Sequence, residues 1–202
     1  IPFEEWWLKN RGDGQEFKAE PYWLYFEESQ AHNALLMGQR ERAWQALEYR
    51  LRHQDLPGLY GWREGGNGVG TDNATRGVTL IPFLRGCQIY DSITPHGWSQ
   101  AEMWLLQRAT LIEEWPVGSK DGLLLFAGVP AHWLKPGARV AFEGLPTWYG
   151  RASACLEVSA DGKTASITLS GVETDTPIEI RLPGKTTWTM GDKKGIRLQV
   201  EL

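Results

Sequence analysis

The chain has few cysteines, no excess of positive charge and no long apolar run. Its 202 residues include two cysteines, Cys87 and Cys155, which can form neither a four-cysteine metal site nor a disulfide framework. With 21 Lys and Arg against 25 Asp and Glu, the net charge is -4, so no basic stripe faces a phosphate backbone. No stretch approaches the roughly 20 apolar residues of a membrane helix. We therefore expect neither nucleic acid nor a membrane as a partner.

Tryptophan, by contrast, is abundant, with 11 residues in the chain. An indole combines a flat apolar face with one N–H donor, so it suits both a protein core and the face and hydroxyl rim of a sugar ring. Trp44 and Trp104 lie on apolar helical stripes, which predicts that they pack in a core. Trp62 and Trp98 lie beside charged and polar residues, which favours a role in binding.

The spacing of apolar residues is helical from Pro21 to Trp115. It predicts a helix over 21–38, a second from Gln39 onward that buries Ala43, Trp44, Leu47 and Leu51, and a third over 101–115. Gly38 alone separates the first two, which predicts an antiparallel helical hairpin. Glu48 and Arg52 are expected to pair on its outside at the i,i+4 spacing.

After Pro116 the apolar period changes to two, in the segments 152–158, 165–169, 178–182 and 196–202. Asp161-Gly162 between the first two of these segments predicts a hairpin turn. This pattern predicts an α+β protein, with a helical part over 1–118 and an antiparallel β-sandwich-like domain over 119–202.

Two clusters in the helical part combine aromatic and charged side chains. The first is Trp62-Arg63-Glu64 on a Gly-rich loop, and the second is the run from Pro95 to Glu102, which holds His96, Trp98 and Glu102 where a helix begins. Imidazole, indole and carboxylate groups are those that bind and hydrolyse sugars. Together, the two clusters favour a carbohydrate site.

With these clusters, the stretches 22–64, 95–114, 128–134 and 145–150 resemble the C-terminal end of bacterial six-hairpin glycosidase-like proteins. Those proteins have an (α/α)6 barrel followed by a β-sandwich. The resemblance implies the C-terminal portion of a periplasmic or extracellular glycoside hydrolase that acts on an oligo- or polysaccharide. The remaining barrel helices would come from N-terminal sequence outside these residues or from another chain, and so would the general acid.

The Trp-x-Glu pattern resembles the place where related barrels carry their catalytic base, so the resemblance implies that Glu64 is the general base. The alternative is a solvated loop carboxylate paired with Arg63. Trp62 and Trp98 are the predicted stacking platforms, and His96 and Asp72 are candidates for contacts with sugar hydroxyls. The alternatives are a structural hydrogen-bonding role for His96 and a turn role for Asp72.

Glu102 has two interpretations. Ser99-x-x-Glu102 matches a capping box, in which both side chains satisfy backbone N–H groups at a helix start. A helix that begins at Thr94 would instead leave Glu102 facing the cleft as a sugar ligand.

Other chemistries lack the spacing they need. The glycines at 65–70 do not follow G-x-G-x-x-G, and no G-x-S-x-G occurs. Glu27 and Glu28, followed by His32, predict a solvated helix face, because a metal would need a third ligand at a suitable spacing. We expect no cofactor and no metal. The rival functions are a non-catalytic carbohydrate-binding module and a structural domain that docks onto another chain.

Overall fold

The computed structural model describes residues 24–52 and 96–202 and divides the chain into two compact units, Ile1–Gln107 and Arg108–Leu202. The described part of the first unit is helical, and the second contains every described strand. The second unit begins before residue 119, the predicted start of the β domain, because 112–117 forms a strand of its first sheet. Mixed α+β architecture, as the sequence predicts, is confirmed.

Three α-helices are described: α1 (Leu24–Leu36), α2 (Arg40–Arg52) and α3 (Gly97–Leu111). Gly38 joins α1 to α2 in the left-handed conformation, at φ +79°, which glycine adopts without steric cost. The backbone N–H of Gln39 donates to Ala34 O at 2.8 Å and so closes the end of α1. The predicted helical hairpin is confirmed, as is the outer Glu48–Arg52 pair at 2.6 Å.

The buried core of the helical unit combines residues of all three helices, namely Ala31, Ala46, Leu47, Met103 and Leu106. Trp44 packs against it, as predicted. Leu51 was expected inside but is 40% exposed, and Trp104 is 51% exposed. Helix α3 carries apolar side chains on more than one face, so the three-and-four spacing fits several stripes. The buried stripe runs through Met103, Leu106 and Ala109, and the helix ends at Leu111 instead of Trp115.

Glu27 and Glu28 lie on the buried side of α1, where neither side chain is accessible to solvent. The prediction of a solvated face is therefore wrong. Arg50 of α2 forms an ion pair with Glu27 in this interior, and its own side chain is only 6% exposed. Two charges can share such a site because each supplies the partner that water would otherwise provide.

The second unit contains two four-stranded sheets. The first has the strand order β1-β2-β6-β7 and the second β3-β4-β5-β8. The strands are β1 (Ile112–Val117), β2 (Lys120–Leu125), β3 (Arg139–Thr147), β4 (Gly150–Val158), β5 (Thr164–Ser170), β6 (Pro177–Leu182), β7 (Lys185–Met190) and β8 (Ile196–Glu201).

Neighbouring strands run antiparallel except for β2 and β6, which pair in parallel from Leu123↔Ile178 to Leu125↔Ile180. The expectation of a purely antiparallel sheet is therefore corrected. Parallel neighbours need a long crossover connection, and here it contains β3, β4 and β5 of the other sheet.

Alternate residues of these strands form one hydrophobic core that both sheets share, as the period of two predicts. Its members include Leu123, Leu125, Ala154, Leu156, Ala165, Ile167, Ile178 and Ile180. The hairpin predicted at Asp161-Gly162 joins β4 to β5, with Gly162 at φ +72°. No helix within residues 24–52 and 96–202 is both long and apolar enough to cross a membrane.

Candidate functional site

The predicted site residues fall partly inside and partly outside the described structure. Trp62, Arg63, Glu64 and Asp72 lie outside the described residues, so their roles stay predictions. His96, Trp98 and Glu102 lie together at the start of α3. The structure thus describes the second of the two sequence clusters.

His96 immediately precedes α3 and caps it. Its carbonyl accepts the first helical hydrogen bond, from the backbone N–H of Gln100 at 3.1 Å. Its ring Nδ1 accepts the backbone N–H of Ser99 at 3.3 Å and lies 3.0 Å from Ser99 Oγ. An Nδ1 that accepts from an amide carries no proton, so the neutral ring is protonated at Nε2. The predicted capping box is therefore wrong, because the helix begins before Ser99 and an imidazole takes the capping position.

Glu102 makes a different contact from the predicted cap. The indole Nε1–H of Trp98 donates to Glu102 Oε1 at 2.9 Å, one helical turn apart. Trp98 remains 53% exposed, so the hydrogen bond fixes the ring while solvent reaches its surface. The second carboxylate oxygen of Glu102 can accept a hydrogen bond from a ligand hydroxyl. The pair presents an aromatic surface and an acceptor side by side.

The β unit contains another polar group of residues, centred on Arg108 and Glu114. Arg108 Nη2 donates to both carboxylate oxygens of Glu114, at 2.9 and 2.8 Å, and to Pro146 O at 3.0 Å. The side chain of Arg108 is 8% exposed and that of Glu114 is 16% exposed. Glu114 Oε1 also accepts the backbone N–H of Trp148 at 3.2 Å. Through these contacts the Arg108–Glu114 ion pair links β1 to the turn between β3 and β4.

Tyr149 follows Trp148 in that turn and lies close to two acids. Burial raises the pKa of its phenol above the ordinary value of 10.0, and the negative charges of Asp121 and Glu114 add to the effect. Tyr149 therefore keeps its proton at neutral pH and can donate a hydrogen bond.

Cys155 lies in a shallow groove on the outer face of the second sheet and is a free thiol. The groove has a volume of about 510 Å³, and small polar residues such as Ser153, Thr168 and Ser170 line it. Among the described residues, no three His, Cys, Asp or Glu side chains come together as a metal site would require.

Comparison with protein-family models, with curated proteins and with solved structures gave no match. The described features that bear on function are therefore the side-chain groups at the start of α3 and around Arg108 and Glu114. Sequence reasoning did not single out Arg108, Glu114 or Trp148 as functional. The sequence feature that could have indicated them is the segment 146–150, in which a Trp-Tyr pair lies between a proline and a glycine, residues typical of turns.

Proposed function

We propose that this chain is the C-terminal portion of a glycoside hydrolase, in which the start of α3 forms one wall of the sugar site. The observation that carries the proposal is the exposed indole of Trp98, held by Glu102 beside it. A sugar ring can place its C–H face on the indole and a hydroxyl on the carboxylate. His96 supports this wall by fixing the first turn of the helix.

The reaction itself is assigned to Glu64 by the sequence resemblance. Hydrolysis of a glycosidic bond uses two carboxyl groups, one as general acid and one as general base or nucleophile. In this proposal Glu64 activates the water, and the general acid comes from barrel sequence outside these residues or from another chain. Trp62, Arg63 and Asp72 would complete the site from the loop around Glu64.

The same proposal makes α1, α2 and α3 the last helices of an (α/α)6 barrel. Its support is the number of large apolar side chains that the described helices expose. They are Phe26 of α1, Leu51 of α2, and Trp104 and Leu105 of α3. Exposed apolar surface of this kind is usual where another polypeptide packs, here the remaining barrel helices.

Glycan binding is tested by replacing Trp98 in the full chain, with Trp104→Ala as the matched control. The two indoles lie on the same helix and are almost equally exposed, at 53% and 51%. Only Trp98 is expected to contact the sugar. Trp98→Ala should weaken binding of a soluble oligosaccharide about tenfold, which corresponds to about 1.4 kcal/mol, while Trp104→Ala should leave it unchanged. Equal affinity of Trp98→Ala and the unmodified chain would reject the site.

Hydrolysis is tested separately with Glu64→Gln in the complete protein, barrel included. The substitution keeps the shape of the side chain and removes its basicity. We expect turnover to disappear while oligosaccharide affinity stays within about twofold. A variant that still turns over would exclude Glu64 as the base.

A non-catalytic glycan-binding module is the second candidate. It is favoured by Glu102, the acid that the structure describes at this site. Glu102 accepts a hydrogen bond from Trp98 and so positions the indole. This candidate predicts that Trp98→Ala abolishes binding in a complete protein that has no glycosidase activity. Measured turnover by the complete protein would rule it out.

A further inference from the structure

Trp148 stands at the tip of the turn that joins β3 to β4, with its side chain 79% exposed. This exceeds the exposure of Trp188 on β7, which is 63%. An indole loses a large favourable burial energy when it remains in water. An exposed indole on an ordered turn is therefore a candidate contact for a ligand.

The backbone around Trp148 is held on both sides. The Trp148 N–H donates to Glu114, and Arg108 binds both Glu114 and the carbonyl of Pro146. Thr147 Oγ1 accepts the backbone N–H of Tyr149 at 3.0 Å and donates to Gly150 O at 2.8 Å. Because the turn is fixed before any ligand arrives, binding there loses little conformational entropy of the backbone.

The surroundings of Trp148 select the kind of ligand. The neighbours in the turn are the hydroxyl of Thr147 and the phenol of Tyr149. Exposed Asp121 lies two residues along β2 from Leu123, the partner of Glu114, and so shares the face of β1 and β2 on which Glu114 accepts the turn's backbone N–H. A protein interface of standard size needs a much larger apolar area than one indole provides. A nucleic acid would be repelled by the acids, since its phosphates are negative. A sugar ring, apolar on its faces and rich in hydroxyls at its rim, matches both parts of this surface.

We propose that Trp148, with Tyr149 and Asp121 beside it, forms a second glycan-binding subsite that belongs to the β unit. The ring of Trp148 stacks on a sugar face, and Asp121 accepts a hydrogen bond from a sugar hydroxyl. The phenol of Tyr149 donates one to a sugar oxygen. The subsite belongs to a unit other than that of Trp98 and needs no catalytic group. Its role is to hold a polysaccharide.

The test uses Trp148→Ala in the full chain, with Trp188→Ala as the matched control. Both tryptophans are highly exposed and belong to the β unit, but Trp188 lies on the edge strand β7 away from the turn. The probes are xylan, laminarin, pullulan, arabinan and galactomannan, assayed by affinity gel electrophoresis and titration calorimetry. Far-UV circular dichroism verifies that each variant is folded.

We expect Trp148→Ala to weaken binding of at least one polysaccharide about tenfold and Trp188→Ala to leave it unchanged. Asp121→Asn should weaken the same interaction by a smaller factor, about threefold. Undiminished binding by Trp148→Ala, an equal loss in both tryptophan variants, or no binding of any probe by the unmodified chain would each overturn the proposal.

The outcome is separable from that of the proposed hydrolase. Unchanged binding by Trp148→Ala in a protein that loses turnover with Glu64→Gln would remove the second subsite alone. Polysaccharide binding that depends on Trp148, together with oligosaccharide affinity that Trp98→Ala leaves unchanged, would support the second subsite and count against the site at α3.

Discussion

Replacing Glu114 by alanine is expected to destabilise the β unit by about 3 kcal/mol. The substitution removes the carboxylate that accepts two hydrogen bonds from Arg108 and one from the backbone of Trp148. Breaking a buried ion pair typically costs about 3–5 kcal/mol, because the remaining charge has lost its partner. Arg108 keeps the carbonyls of Ile112 and Pro146, and Glu113 lies 3.8 Å from its Nη1. These contacts place the expected cost at the lower end of that range.

Glu114→Gln removes the negative charge of the side chain and keeps nearly the same shape. The amide oxygen still accepts a hydrogen bond, so we expect a loss of only about 1–1.5 kcal/mol. Removing both partners, in Arg108→Met with Glu114→Ala, should cost less than the sum of the single changes, since no guanidinium remains unpaired. The coupling energy of this cycle should be about 1–3 kcal/mol.

The free energies of unfolding are measured in urea. Hydrogen exchange, detected by mass spectrometry of peptides from β3 and β4, monitors the unfolding. Such peptides report on the β unit by itself. With a slope of about 1–3 kcal/mol per molar urea, Glu114→Ala should lower the midpoint by about 1–3 M. A shift smaller than that of Glu114→Gln, or additive effects in the cycle, would show that the pair does not stabilise the turn.

Two further predictions concern the same unit. Asp121→Asn should lower the pKa of Tyr149 but leave it above 10.0, since burial, the larger cause, remains; absorbance at 295 nm against a Tyr149→Phe reference measures this. In the unmodified chain, the folded state keeps the phenolic proton of Tyr149 at a pH where the unfolded chain releases it. The contribution of Tyr149 to stability is therefore complete below about pH 10 and is lost as pH rises through the folded pKa. Gly171→Ala should cost at least about 2 kcal/mol in urea unfolding, because φ is +76° and the new Cβ would lie 2.0 Å from Arg151 O. Gly137→Ala, at φ +75° with open space around it, should cost about 1 kcal/mol, and an equal cost for both would contradict the steric reasoning.

Four strands of the β unit, β4, β5, β6 and β8, were predictable because their apolar residues alternate. Strand β2 was not, since its three leucines, Leu123–Leu125, are consecutive and all buried. Leu156, Ile167 and Ile180 are all buried on the expected faces, since a period of two leaves a strand only one choice of inner face. The parallel pairing of β2 with β6 was not predictable, because β2 shows no alternation and the alternation in β6 does not specify the direction of its neighbour. Strand order depends on contacts between residues far apart in the sequence.

The helical unit was harder to predict in detail. Helix α3 has apolar residues around much of its circumference, so the spacing rule selected Trp104 and the structure buries Met103 instead. The helix start was also assigned to the wrong residue. Ser and Glu at 99 and 102 fit a capping box, yet His96 offers both a carbonyl and a ring nitrogen one turn earlier.

Trp98 and Trp148 are both exposed, but different contacts hold them in place. Both indoles face solvent, but the ring of Trp98 is fixed by Glu102, whereas at Trp148 the backbone is fixed and the ring projects from it. A fixed ring suits a defined sugar position beside a reaction, and a projecting ring on a rigid turn suits a polysaccharide that is held without chemistry. The two tryptophans therefore predict different selectivities. Trp98→Ala should discriminate among short oligosaccharides of different sugars, while Trp148→Ala should mainly reduce the affinity for long chains.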